Sequence, residues 1–197
     1  MWLSPNYQDT DFAQPLTLDD KITIFLDRTD GWQLGIAEQS RDIPHSGFAV
    51  LHIILSYFET IAKYSDGFVH HGQSEHYFKQ GVQFVFPPIA QIPAYVRDAI
   101  LLDLYRGARC GLYHASMTAA HIELGTIEQG DITYDPNTRR LIIDPHNLTK
   151  TLRAHLVGYG LHLRDLANVD LRTKFEARFD FDCAQAQGAQ WQNPNQP

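Results

Sequence analysis

The hydrophobic positions of the chain recur mainly at the three- and four-residue spacings of amphipathic helices. A first helix is predicted to follow Thr17, a favoured N-cap residue with Asp20 at the capping-box position. A second helix, between Ser46 and Gly67, has apolar residues on most faces and is expected to be the most buried element. Its polar residues share one edge, where we expect a solvated surface. They are His52, Ser56, Glu59 and Lys63. The alternative is that Glu59 faces Arg109 and orients the guanidinium or forms a buried pair with it.

Later segments predict further helices and one change of period. A short helix over "SEHYFKQGVQFVF" ends at two consecutive prolines, and a long helix then begins at Pro93 and runs through "RCGLYH". Beyond it the apolar residues alternate, and the turn sequence "DPNT" indicates a hairpin over about 121–144. Asp144 and Pro145 then form the N-cap and first residue of another helix, and a last short helix covers "LRTKFEARF".

These elements predict one mainly α domain over 17–183, a bundle of about five or six helices with a small inserted antiparallel β-hairpin at about 121–144. A chain of 197 residues suits a single core. Residues 1–16 show no sustained period and predict an irregular arm. Residues 184–197 are Gln, Ala, Asn and Pro with one Trp, and predict a disordered tail.

The composition removes several classes of function. Hydrophobic residues make up 44% and charged residues 20% of the chain, which is typical of a globular protein. The net charge of -7 argues against a broad duplex-binding surface, so any RNA contact is expected to be local. Because no segment approaches the length of about 20 apolar residues that spans a bilayer, and the start has no signal pattern, the chain is predicted to be cytoplasmic and not membrane-bound.

Metal and disulfide chemistry are not predicted. The two cysteines, Cys110 and Cys183, are far apart and form no CxxC pair, which argues against a disulfide framework or a cysteine zinc site. Three histidines in "VHHGQSEHYF" have no carboxylate or cysteine at a recognised ligand spacing. We therefore expect no metal and no cofactor. Tyr and Phe fall mostly at core spacings, so no RNA-stacking platform is predicted from them.

The candidate chemistry lies in "YRGARCGLYHAS", which places Arg109 and His114 in an Arg-x4-His arrangement at the end of the long helix. A histidine can exchange a proton with a ribose hydroxyl near neutral pH, and an arginine can hold the neighbouring phosphate. Side chains five residues apart on a regular helix point about 140 degrees apart, so Arg106 is an alternative partner for His114. A structural alternative is that these residues only cap the helix end.

Around the segment "RCGLYH" the chain resembles the HEPN superfamily, compact helical bundles that carry an Arg-x4-6-His motif. The resemblance implies metal-independent RNA cleavage to a 2',3'-cyclic phosphate and a homodimer in which the arginine and histidine meet their counterparts. In that family a polar residue, often asparagine, commonly follows the arginine, whereas this chain has Cys110. An acidic residue on an early helix is also common there, and Glu59 is the candidate. Other segments look like parts of an uncharacterised bacterial protein family.

Two hypotheses follow. In the first, the chain is a homodimeric endoribonuclease of the toxin or defence type, with His114 as acid or base and Arg109 as phosphate binder. The supporting residues would be Glu59, Arg106, Cys110 and His52. In the second, the chain is a non-catalytic helical module for dimerisation or for binding a nucleotide or a cognate protein, and the same residues only cap and pair.

Overall fold

Helices form most of the computed structural model, which describes residues 1–188 and confirms the mainly α prediction. The α-helices of that part of the chain are α1 (Leu18–Thr29), α2 (Gly35–Gln39), α3 (Gly47–Asp66), α4 (Ser74–Val85), α5 (Ala94–Leu102), α6 (Gly111–Ala115), α7 (Pro145–Arg164) and α8 (Val169–Gly188). The π-helical segments Asp30–Leu34 and Asp103–Cys110 join α1 to α2 and α5 to α6, so each pair continues without a loop. Short 3-10 turns lie at Asp9–Asp11, Ser40–Asp42 and Pro87–Gln91.

Most predicted helix ends are confirmed by their caps. The Thr17 side chain accepts a hydrogen bond from the Asp20 backbone N–H, and the Asp20 carboxylate accepts one in return from the Thr17 backbone, which completes a capping box. Gly67 ends α3 in the left-handed conformation, at φ 70°. Asp144 caps α7 by accepting from two backbone N–H groups of its first turn. These boundaries follow from local chemistry, which is why the sequence predicts them.

The predicted hairpin is present, and a third strand joins it. Strands β4 (Ile132–Asp135) and β5 (Arg140–Ile143) pair antiparallel, with Tyr134 opposite Leu141. Strand β3 (Ile122–Leu124) runs parallel to β5 on its other edge, so the sheet order is β3-β5-β4. The insert is therefore a mixed sheet, which buries Ile122 against the helices together with two β5 residues.

The ends of the chain differ from their predictions. The strands β1 (Trp2–Ser4) and β2 (Tyr7–Gln8) form a small antiparallel pair. They lie in the N-terminal arm for which the sequence predicts an irregular structure. Helix α8 continues to Gly188, so residues 184–188 of the predicted disordered tail are helical, and 189–197 lie outside the described residues. Ala and Gln, which dominate this stretch, are good helix formers and extend the helix. Across residues 1–188, no helix is both long enough and apolar enough to cross a bilayer.

Helix α3 is the centre of the core, as its sequence predicts. Nine of its residues are buried, and they face α4, α7 and α8 on different sides. The closest approach is made by α4, where a Cβ built on Gly81 would lie 1.8 Å from the Phe58 carbonyl oxygen. No side chain fits at that position without moving the backbone of one helix. The glycine therefore determines how closely α4 packs on α3.

A polar contact joins α3 to α7 inside the core. The Tyr57 hydroxyl lies 2.8 Å from His155 Nδ1, and Tyr57 is fully buried. Burial raises the pKa of the Tyr57 phenol and lowers the pKa of the His155 imidazole, because each charged form would lose its hydration. Both groups are therefore neutral near pH 7, and the hydrogen bond satisfies two polar atoms that water does not reach freely.

We expect Gly81→Ala to destabilise the protein by about 1–3 kcal/mol or more, because the new Cβ must push two packed helices apart. Gly158→Ala is the matched control, since a Cβ on this α7 residue meets nothing within 4 Å. That control should be neutral or stabilising by about 0.5–1 kcal/mol, as expected for Gly to Ala in a helix. Urea unfolding of both variants measures the difference, and equal stabilities would contradict the close packing.

The free energy of unfolding should also decrease at acidic pH because His155 is partly buried. Its folded pKa is depressed, so as the pH falls below about 6.5 the unfolded chain takes up a proton that the folded chain does not. His155→Asn keeps a hydrogen-bonding group near Nδ1 but does not titrate. Between about pH 7.5 and about pH 5.5, this variant should lose less stability in urea unfolding than the wild type. His162 is exposed, so the stability of the His162→Asn variant should change with pH as that of the wild type does. Parallel curves of stability against pH for all three proteins would exclude a contribution of His155 to the acid destabilisation.

Candidate functional site

The polar edge of α3 is only partly solvated, which corrects the expectation for two of its four residues. His52 and Ser56 are exposed, but the side chains of Glu59 and Lys63 are only 16% and 13% exposed. Lys63 Nζ donates to Glu59 Oε1 at 2.6 Å, and the hydroxyl of Ser74, the first residue of α4, donates to the same oxygen at 2.8 Å. The carboxylate is thus held by α4 as well as by its own helix.

Arg109 faces this carboxylate from the π-helical segment. Its Nη2 lies 3.6 Å from Glu59 Oε2, which is an ion pair but is too long for a hydrogen bond. The guanidinium carbon also lies 5.8 Å from the ring centroid of Tyr105 and 5.3 Å from that of Tyr113, within the range of cation–π attraction. Among the described residues, nothing accepts a hydrogen bond from the guanidinium. The charge is therefore positioned while its donors remain available.

An open cavity of about 280 Å³ lies beside the guanidinium. It is lined by His52, Ile53, Leu55, Ser56, Arg109 and Tyr113. Arg109 and His52 therefore come together although they are far apart in sequence, and the Tyr113 ring lies 6.3 Å from the His52 ring between centroids. Gln33 Nε2, which does not line the cavity, donates to the Ser56 hydroxyl at 2.7 Å. The cavity thus combines a cation, an imidazole, a hydroxyl and an aromatic ring.

His114 and Arg106 lie elsewhere. His114 is exposed and meets the edge of the Tyr113 ring at 5.0 Å between centroids, but it does not line the cavity. Arg106 is 67% exposed, and its Nη2 lies 3.4 Å from Glu75 Oε2 on α4, so it forms a surface ion pair. Within one chain, Arg109 therefore shares its cavity with His52, whereas the sequence motif pairs it with His114.

Cys110, which follows the arginine, does not line the cavity and is half-buried. It lies beside Tyr105, where burial raises the pKa of the phenol and the neighbouring thiol raises it further. The phenol is therefore neutral near pH 7. Cys110 thus places a thiol, which is only a weak hydrogen-bonding group, outside the cavity, at the place where the resemblance implies a polar residue.

The geometry of the motif departs from a regular helix for a local reason. Arg109 lies in the segment Asp103–Cys110, whose i to i+5 hydrogen bonds widen the turn relative to an α-helix. Gly111 follows, and a Cβ there would lie 2.6 Å from the Met117 carbonyl oxygen. The loop after α6 thus folds back directly onto the helix. The sequence predicts a regular α-helix here, but the structure has a wider π-helical segment that contains Arg109.

Sequence reasoning missed three residues at the site, two tyrosines and a glutamine. Tyr105 and Tyr113 stand four residues before and after Arg109, and this spacing places aromatic side chains on the arginine's face of a helix. That signal was available. Gln33 was not predictable, because it reaches Ser56 from the other π-helical segment, Asp30–Leu34. The segment Asp103–Cys110 therefore supplies a residue that lines the cavity, and the segment Asp30–Leu34 contacts another. Such π-helical segments occur frequently at functional sites.

A smaller cavity of about 150 Å³ adjoins the first at Ser56, but its charges are matched. Arg178 donates to both carboxylate oxygens of Asp182, at 2.6 and 3.2 Å, and to the Phe68 carbonyl oxygen at 2.5 Å. Its guanidinium is therefore already bound within the chain. Arg109 differs because it meets open space with its donors unengaged, so the larger cavity is the better candidate for an anionic ligand.

Comparison with protein-family models, with curated proteins and with solved structures finds no match. No group of three or more His, Cys, Asp or Glu side chains within residues 1–184 is placed to hold a metal ion. An arginine can hold a phosphate, and a nearby imidazole can transfer protons.

Glu59 should matter for stability more than an exposed carboxylate with similar partners. Glu59→Gln leaves the poorly exposed Lys63 and Arg109 without their anion, and we expect a loss of about 1.5–3 kcal/mol. Glu75→Gln is the control, because Glu75 also pairs with a lysine and an arginine but is 36% exposed, so about 0–1 kcal/mol is expected. Urea unfolding compares the two, and equal losses would contradict a special role for Glu59.

Proposed function

We propose that this protein is a HEPN-like, metal-independent endoribonuclease of the toxin or defence type, acting in the cytoplasm as a homodimer. The observation that carries the proposal is the Arg109 guanidinium, which is held by Glu59 and two aromatic rings beside an open cavity with its donors unengaged. The resemblance of "RCGLYH" to the Arg-x4-6-His motif supports RNA as the source of the phosphate.

Arg109 would bind the scissile phosphate through two N–H groups and stabilise the charge that develops on it. The ribose 2'-oxygen attacks phosphorus, and its proton passes to a neutral imidazole. The bond between phosphorus and the 5'-oxygen breaks, and that oxygen takes a proton from an imidazolium or from water. The products carry a 2',3'-cyclic phosphate and a 5'-hydroxyl. The step balances without a metal ion or a redox partner.

The position of His114 supports the homodimeric form of this proposal. His114 is exposed beside Tyr113 but does not enter the cavity of its own chain. In a homodimer, His114 of the second copy would enter the cavity at its open side, next to Tyr113. His52 lines the cavity of its own chain and is the alternative source of the imidazole.

RNA cleavage in EDTA tests the proposal. The wild type should cut single-stranded RNA and leave 2',3'-cyclic phosphate ends, and His114→Ala and Arg109→Ala should each be at least about 100-fold slower. Arg106→Ala is the matched control, since this exposed arginine stands three residues earlier and pairs with α4 instead. No cleavage by the wild type, or equal cleavage by Arg109→Ala, would overturn the proposal, and equal cleavage by His114→Ala would overturn its homodimeric form.

The same variants identify the source of the imidazole. In a composite dimer, an equal mixture of Arg109→Ala and His114→Ala protein should recover about a quarter of wild-type activity, because half of the dimers then hold one intact site. Activity that is lost in His52→Ala but kept in His114→Ala would place the acid or base within a single chain. A protein that is strictly monomeric in light scattering would exclude the composite site.

A further inference from the structure

Tyr113 presents an aromatic surface that folding alone does not require. Its side chain lines the Arg109 cavity, yet the residue is 64% exposed. The apolar residues around it on the same helix, Ala108 and Leu112, are instead buried in the core. A large ring at the mouth of a cavity that holds an available cation is a feature of binding sites, where aromatic rings contribute contact area at a low entropic cost.

The ring of Tyr113 is held in place although it is exposed. The Arg109 guanidinium lies 5.3 Å from its centroid, the His52 ring approaches at 6.3 Å, and the His114 ring meets it nearly edge-on at 5.0 Å and 87°. These contacts restrain the side chain before any ligand arrives, which lowers the cost of ordering it on binding. The remaining ring surface faces solvent next to the phosphate-binding group.

We propose that Tyr113 is a stacking platform for one nucleobase of single-stranded RNA, with the adjoining phosphate held by Arg109. The proposal rests on RNA being the substrate of the Arg109 site, and it adds the residue that receives the base. Stacking on tyrosine accepts any base, because every base has a π-face. The platform therefore favours an unpaired nucleotide and shows little preference for sequence.

The size and charge of the site fit this ligand. At about 280 Å³, the cavity lies near the lower end of the range of about 300–1,000 Å³ seen for ligand pockets, so it can take a phosphate and part of a ribose while the base lies on the exposed ring. The His52 imidazole lines the same cavity and can hydrogen-bond to the sugar or the phosphate. The Ser56 hydroxyl also lines it, but it already donates to the Ile53 carbonyl oxygen, so it can only accept a hydrogen bond from the sugar. A stacked duplex could not place a base there without unpairing it.

Binding of an uncleavable 2'-O-methyl dinucleotide to the full-length protein tests the platform by calorimetry. Tyr113→Ala should weaken binding by about 5- to 100-fold, as expected for loss of one stacked base, and Tyr113→Phe should keep most of it because the ring remains. Tyr95→Ala is the control, since Tyr95 is 74% exposed and does not line the Arg109 cavity. Arg109→Ala should also weaken binding, and inorganic phosphate should bind more weakly than the dinucleotide.

The results distinguish failure of the stacking platform from failure of the proposed nuclease activity. Equal affinities of Tyr113→Ala and wild type, no dinucleotide binding by the wild type, or binding of phosphate as tight as the dinucleotide would overturn the platform. Binding that depends on Tyr113 without any cleavage in EDTA would support the platform and overturn the proposed nuclease activity. Cleavage whose KM does not change in Tyr113→Ala would leave the nuclease and overturn the platform.

Discussion

The burial of α3 is the constraint on which the rest of the structure depends. Its apolar residues pack against helices on several sides, so its polar residues are confined to one edge. Two charged residues of that edge, Glu59 and Lys63, are nevertheless mostly covered. A covered carboxylate is stable only when cations and hydrogen bonds replace its hydration. The core therefore creates a requirement for positive charge at one place on the surface, and Arg109 occupies that place.

The packing of α4 connects this requirement to the core. Gly81 allows α4 to lie directly on the Phe58 carbonyl group, one residue before Glu59. With α4 at that distance, Ser74 reaches the Glu59 carboxylate from the start of the helix. A glycine whose only role is steric thus determines the surroundings of a charged group. The α3–α4 contact and the site are therefore joined by two residues, because Ser74 donates to Glu59 and Glu59 pairs with Arg109.

Local patterns account for what the sequence predicts well. The caps at Thr17 and Asp144 and the turn between β4 and β5 depend on residues within a few positions, so spacing alone locates them. The parallel pairing of β3 with β5 depends on distant residues, and no local pattern predicts it. The π-helical segment at Arg109 likewise reflects a shift of backbone hydrogen bonds that has no clear residue signature. For the same reason, spacing along an ideal helix could not show that Arg109 would share a cavity with His52 rather than His114.

The charge of the whole molecule limits how the proposed site could bind RNA. With a net charge of -7, the protein repels a polyanion at long range, and this repulsion slows encounter at low salt. Affinity must then come from short-range contacts at the cavity. One arginine that holds one phosphate releases few counterions, so binding should depend only weakly on salt compared with proteins that neutralise many phosphates. The proposed stacking on Tyr113 would not depend on charge, and it would therefore complement a lone arginine on an acidic protein better than additional lysines scattered over the surface.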